Sequence, residues 1–194
     1  VLSEGNDLVV SSWDILSGDV KPGNKVLIFD DAGDHPALQA AEVIANSGAK
    51  LEIMTPDRSF SPDIMAMNLV PYMRSLQDQD VTFTVTYRAD KAERVDGKIK
   101  VSLSSDYGTI GKHRMVDQLV VNHGTLPLDD IYFDLRDASS NGGELDQDAF
   151  INGKPQTVVR NQQGTYQLFR IGDAVAARNT HAAIFDALRL VKDI

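Results

Sequence analysis

KVLIFDDAGDHPALQAAEVIANSGAKLEIMTP, residues 25–56, decides the fold. The run from Lys25 to Phe29 is short and apolar throughout, as a strand buried on both faces requires. A polar loop, DDAGDHP, follows. ALQAAEVIANSG then places Leu38, Ala41, Ile44 and Ala45 at helical spacing and ends at Gly48, a residue suited to stopping a helix. KLEIMTP is a second strand, closed by Pro56. Strand, helix and strand in about 32 residues form a βαβ unit, which implies a right-handed parallel crossover.

Upstream, residues 1–21 read as a lead-in, with Ser11 or Ser12 capping a short helix through Trp13 and Leu16 that stops at Gly18. Pro22 to Asn24 is a turn. Downstream, residues 62–79 predict a helix with Ile64, Met65, Leu69, Met73 and Leu76 as its apolar face, the methionines serving as core filler. From Val81 the period becomes two. VTFTVTYRA, a turn at Asp96-Gly97, and KIKVSLSS predict a hairpin. After GTIGKHR, the segment MVDQLVVNHGTLP is a return strand. Residues 136–165 are polar and weakly periodic, with Thr157 to Val159 as an edge strand. YQLFR as a strand, a Gly172-Asp173 turn and a closing helix complete the chain. Asn179 or Thr180 caps that helix, and Ala183, Ile184, Ala187, Leu188 and Val191 form its apolar stripe. The expected architecture is α/β: a Rossmann-like parallel sheet with helices and an antiparallel β-meander.

Composition narrows the chemistry. The 194 residues carry 28 Asp plus Glu against 19 Lys plus Arg, a formal charge of −9, with no basic stripe. Nucleic acid and anionic membrane surfaces are therefore poor partners. The absence of cysteine excludes disulfides, thiolate metal sites and a cysteine nucleophile. No apolar run approaches a membrane span and no signal-peptide pattern is present, which makes the cytoplasm the default expectation. The chain begins at Val1, which suggests a processed product or a piece of a longer polypeptide.

A strand-to-helix turn is where α/β folds hold phosphates, because glycines let the backbone approach and the helix N-terminus supplies free N–H groups. Here G-x-G-x-x-G is replaced by DDAGDHPA. Only Gly33 is left, and Ala37 takes the third glycine's place. Asp30, Asp31 and Asp34 would repel a diphosphate. The second strand ends in Thr55 and Pro56 rather than a ribose-binding acid, with Asp57 slightly later. This loop signals a fold, not a ligand. The acid pair also brings to mind a Mg²⁺-dependent phosphate-receiving domain, but the third run ends in Tyr87-Arg88 and lacks the acceptor Asp. Gly172-Asp173 is the more specific feature: a carboxylate there can accept a bond from a ribose or ribityl hydroxyl, and the next helix aims its N–H groups at a phosphate. Of the four histidines, His35, His113, His123 and His181, no two stand at i, i+4, so metal ligation is unsupported. His181 could reach a phosphate or flavin oxygen. No G-x-S-x-G elbow marks a serine hydrolase.

Three segments in order, VLIFDDAGDHPALQAAEVIANSG, VDQLVVNHGTLP and IGDAVAARNTHAAIFDALRL, resemble the C-terminal region of the NADH:flavin oxidoreductase and trimethylamine dehydrogenase-like family. The acidic loop and GDAVAARNTHAA look most like its N-methylproline or dimethylglycine demethylase branch. The resemblance runs from about Asp7 to Asp193. It aligns Asp117, Gly124 and Pro127 with the family's return strand, and Gly172 and Asp173 with a GD that contacts FAD or ADP, Arg178 lying beside it. The resemblance implies an N-terminal TIM barrel carrying FMN, an iron–sulfur cluster and the substrate, which this chain lacks, together with the first half of the FAD-like domain. Residues 22–115 would then be an NAD(P)-like subdomain and 116–194 the second half of the FAD-like one. The expected role is a non-catalytic region that holds ADP or FAD, or a vestige of that site. Its cofactor-binding candidates are Gly172, Asp173, Arg178, His181, Gly124, Gly33 and Ala37, and self-association into a homo-oligomer stays open. The alternatives are an interaction module that binds no nucleotide and an intact NAD(P)H-dependent reductase domain, against which the loop argues.

Overall fold

Residues 2–192 are described by the structure, a computed structural model, and they fall into two compact units, 1–124 and 125–194. In the first unit a parallel sheet of five strands is ordered β1-β8-β2-β3-β4: β1 (Val9–Ser11), β2 (Lys25–Asp30), β3 (Lys50–Met54), β4 (Thr82–Thr84) and β8 (Gln118–Asn122). Its helices are α1 (Ser12–Ser17), α2 (His35–Asn46) and α3 (Ala66–Gln77). Three antiparallel strands, β5 (Arg88–Val95), β6 (Lys98–Ser105) and β7 (Gly108–Val116), form a second sheet.

The period of two explains the layers. Alternate residues of a strand face opposite sides, and β2 is apolar on both. Val26 and Ile28 join Leu51, Ile53 and Val120 in a cluster with Ala37, Leu38, Ala41 and Ile44 of α2. Leu27 and Phe29 join Leu119 and Val121 in a second cluster with Ala89, Ile99, Val101 and Leu103 of the meander. The sheet is thus sandwiched between helices and meander. Glu52 of β3 turns to the meander side, where Arg114 of β7 grips both its oxygens at 2.7 and 2.9 Å and Thr84 Oγ1 donates to it at 2.7 Å.

Local signals account for the helix ends. Ser11 and Asp14 make a reciprocal capping box on α1, and Gly18 ends it with φ +82°. Pro36 sits in the first turn of α2, where no N–H is missed. The expected βαβ unit is present as β2-α2-β3, with β2 and β3 parallel and paired from Lys25↔Lys50 to Phe29↔Met54.

Several expectations need correction. Residues 1–21 are more than a lead-in, because Val9 to Ser11 pair with Leu119 to Val121 as an edge strand. VTFTVTYRA is not one hairpin strand. Thr82–Thr84 adds to β3 in parallel, and the hairpin strand begins only at Arg88. Met65 and Met67 are exposed, so the buried anchors here are Ile64 and Leu76.

In the second unit, α4 (Asp130–Arg136) precedes the stretch expected as loop and α5 (Gln147–Ile151) lies within it, while neither Thr157 to Val159 nor YQLFR is a strand. The closing helix α6 (Thr180–Val191) is capped by the Asn179 side chain on the Ala182 N–H at 2.9 Å, as expected. Its apolar stripe is not a core face within this unit: Ile184, Leu188 and Val191 are each more than 60% exposed (62%, 64% and 63%). Leu190 is the one hydrophobic side chain fully buried among the described residues after Gly124.

Candidate functional site

The seven candidates separate into two constellations. Gly33, Ala37 and Gly124 lie in the first unit, and Gly172, Asp173, Arg178 and His181 in the second.

In the first unit the parallel register sets Asp30 at the end of β2 opposite Asn122 at the end of β8. Asp30 is 1% exposed. Its Oδ1 accepts from the Gly33 N–H at 3.0 Å, the Ala32 N–H at 3.3 Å and Asn122 Nδ2 at 3.0 Å, while Oδ2 has no hydrogen-bond partner. Burial pushes the carboxyl above the ordinary range, against the pull of these donors. Asn122 Nδ2 also donates to Asp34 Oδ1 at 2.8 Å, and its Oδ1 accepts from Ser12 Oγ at 3.0 Å. Gly33 has φ +71°, and a Cβ there would stand 2.7 Å from Pro62 Cδ. The Asp63 N–H donates to the Gly33 carbonyl at 3.1 Å. Ala37 is fully buried in the α2 face of the core, and so does the packing work of the third glycine it replaces. Gly124, φ +79°, lies beside Ala32. His123 stands with Nδ1 3.5 Å from Asp31 Oδ2, and burial pushes the imidazole down.

In the second unit a 3-10 turn, Gly172–Ala174, carries the GD pair. Gly172 is buried with φ +57°, and a Cβ would meet Ala183 Cβ at 3.2 Å, so the missing side chain lets the turn lie against α6. Its N–H donates to Asp186 Oδ2 at 3.1 Å, and the Arg178 guanidinium pairs with the same oxygen. That cation holds the Asp186 carboxyl below its usual range. Asp173 is exposed, makes no ion pair among the described residues, and accepts only a long 3.5 Å contact from the Arg178 N–H. His181 is exposed in the first turn of α6. Ile171, Val175 and Arg178 line a cavity of about 570 Å³ whose wall also carries Tyr132, Phe150 and Arg170. Arg170 lies over the Tyr132 ring at 4.9 Å and pairs with Asp129.

Sequence reading thus singled out Asp30 as a repellent charge and as half of an acid pair, and missed Asn122 as its partner and Ser12 as the partner of Asn122. The available signal was that KVLIFD and LVVN both end an apolar run in a polar residue. Of the cavity wall, Arg178 alone was among the sequence candidates. Among the described residues no group of three His, Asp or Glu could hold a metal ion, and no helix is long and apolar enough to cross a membrane.

No family model matches the chain. It is 68% identical over all 194 residues to a probable N-methylproline demethylase of Rhizobium meliloti (strain 1021), 29% of whose length it spans. It is 39% identical over 190 residues, 96% of its own length, to an N,N-dimethylglycine/sarcosine dehydrogenase of Chromohalobacter salexigens, spanning 27% of that protein. The chain therefore spans less than a third of the curated relatives it matches. Among solved structures, histamine dehydrogenase from Rhizobium sp. 4-9 superposes with a TM-score of 0.68 over 97% of this chain and 26% of its own, at 18% identity. That likeness establishes the fold: a parallel sheet with helices and a three-stranded antiparallel sheet, as found in an oxidoreductase.

Proposed function

We propose that this chain is the nucleotide-binding-like region of a flavin-dependent oxidoreductase that removes methyl groups from N-methylated amino acids. It would hold ADP or FAD, or the vestige of such a site, at the Gly172-Asp173 turn. The observation that carries the reading is the 68% identity to a probable N-methylproline demethylase along the entire chain. The redox step belongs to flavin chemistry in the remainder of the polypeptide, in keeping with the resemblance to barrel-bearing relatives, because the cofactor performs it. A thiolate-ligated iron–sulfur cluster finds no ligand here, since the chain has no cysteine.

The second unit fits a nucleotide better than the first. Asp173 is exposed and free of an ion pair among the described residues, so its carboxylate can accept from a ribose or ribityl hydroxyl. Gly172 lets the turn lie against α6, whose N-terminus supplies N–H groups beside the turn, with Arg178 and His181 next to it. Gly33, Ala37 and Gly124 belong to the degenerate counterpart in the first unit. The exposed stripe of α6 and relatives more than three times as long support packing of this region against a further part of the polypeptide, a TIM barrel by the family resemblance.

Calorimetric titration of the chain with ADP and FAD tests the nucleotide reading. Heat of binding is expected, and Asp173→Ala is expected to abolish it. No heat with either ligand would leave the runner-up, an interaction module that binds no nucleotide. Formaldehyde release from N-methylproline by the full polypeptide tests the reaction.

A further inference from the structure

The first unit has a loop in the place where α/β folds hold phosphate, after β2 and before α2, yet it directs its donors inward. In such a turn the N–H groups just after the strand point at the ligand's oxygens. Here the two N–H groups in that place, of Ala32 and Gly33, both point at Asp30 Oδ1, at 3.3 and 3.0 Å. A third donor, Asn122 Nδ2, reaches the same oxygen at 3.0 Å. That amide is held from behind by Ser12 and in front by Asp34, so it cannot turn away without breaking two more bonds. The loop is also tied down at the Gly33 carbonyl by Asp63, with the Pro62 ring against Gly33.

We propose that the Asp30 carboxylate, fixed by Asn122, is a built-in anion that fills the phosphate seat of the first βα turn and so excludes nucleotide phosphates from the first unit. A pyrophosphate would have to displace a carboxylate with three donors, and then sit among Asp30, Asp31 and Asp34. A mere loss of glycines would leave a weak site. An internal carboxylate leaves none, because the donors are already satisfied and the remaining charge is of the wrong sign. The unpartnered Asp30 Oδ2 belongs to the same design: it is buried, and it repels an anion rather than inviting one. This inference concerns the first unit alone and stands whether or not the second unit holds a nucleotide.

Nuclear magnetic resonance of the ¹⁵N-labelled chain tests it, with millimolar inorganic pyrophosphate and then NADH as probes. The Ala32 and Gly33 amide resonances are expected to stay in place with either probe. In Asp30→Asn the same two resonances are expected to shift more than any amide outside residues 30–34. Movement of the Ala32 or Gly33 amide on adding pyrophosphate to the wild-type chain overturns the proposal, and that measurement needs no variant to fold. Insensitivity of both amides to Asp30→Asn in a folded variant overturns it equally. Resonances of residues 172–181 report the second unit separately, so failure there is distinguishable.

Discussion

Asn122→Ala should destabilise the first unit by about 2–4 kcal/mol. The side chain is 3% exposed and makes three hydrogen bonds, two to carboxylates and one from Ser12 Oγ. A hydrogen bond to a charged group contributes about 1.5–3 kcal/mol, and a neutral one about 1. The gross sum exceeds the figure given because Asp34 is half-buried and water can replace its bond. Ser12 Oγ and Asp30 are about 1% exposed and have no such recourse. The companion Asn122→Asp is nearly isosteric but sets a third carboxylate against two. It should cost more than alanine at neutral pH, and the excess should shrink in acid. Asp30 has its folded pKa raised, and a further neighbouring carboxylate raises it more. A group of this kind supports stability below its unfolded pKa and loses that support as pH rises through the folded value. The excess must therefore grow upward from about pH 4. The assay is urea unfolding followed by Trp13, the single tryptophan, in α1 beside Ser12. An Asn122→Ala chain within about 0.5 kcal/mol of wild type, the range of ordinary surface changes, would refute the reasoning. So would an aspartate variant as stable as the alanine one at pH 7.

Arg114→Ala removes a bidentate grip on Glu52 that joins the meander to the parallel sheet. A loss of about 1–2 kcal/mol is expected after allowing for its partial exposure, and a double-mutant cycle with Glu52→Gln isolates the coupling. Gly33→Ala must strain a φ of +71° and press a methyl to 2.7 Å from Pro62, so a loss of about 2–3 kcal/mol is expected. Gly48→Ala, at φ +83° with open space around it, should cost only about 1 kcal/mol, and equal losses in a thermal melt would contradict the steric argument. Arg178→Ala removes the cation that lowers Asp186, so the Asp186 titration followed by carboxyl resonances should move up toward the ordinary range. Because a depressed carboxyl supports stability only above its unfolded pKa, the variant's loss should fade as pH falls through the folded value. An unmoved titration would count against the Arg178–Asp186 pairing.

The sequence by itself determined β2-α2-β3, the starts of α1 and α6 to within one residue and the meander turn at Asp96-Gly97, because each is written in neighbours: a period of 3.6 or 2, a capping side chain, a glycine stop. It also showed that the first loop keeps only Gly33 of the G-x-G-x-x-G pattern. Tertiary structure alone decided the rest. Val9 to Ser11 is a strand only because Leu119 to Val121, more than a hundred residues on, offers an unpaired edge. Thr82 to Thr84 joins β3 for the same reason, which broke the expected hairpin strand in two. The stripe on α6 satisfies a helical period but is left exposed within its unit, since periodicity says which residues share a face and not what covers it. Asp30 is the sharpest case. As a letter in DDAGDHP it is one more repelling charge; in the fold, a register that sets it opposite Asn122 turns it inward onto the loop's own N–H groups. Hydrogen bonds across some 90 residues of chain carry no local periodicity, so no reading of the loop alone could have found them.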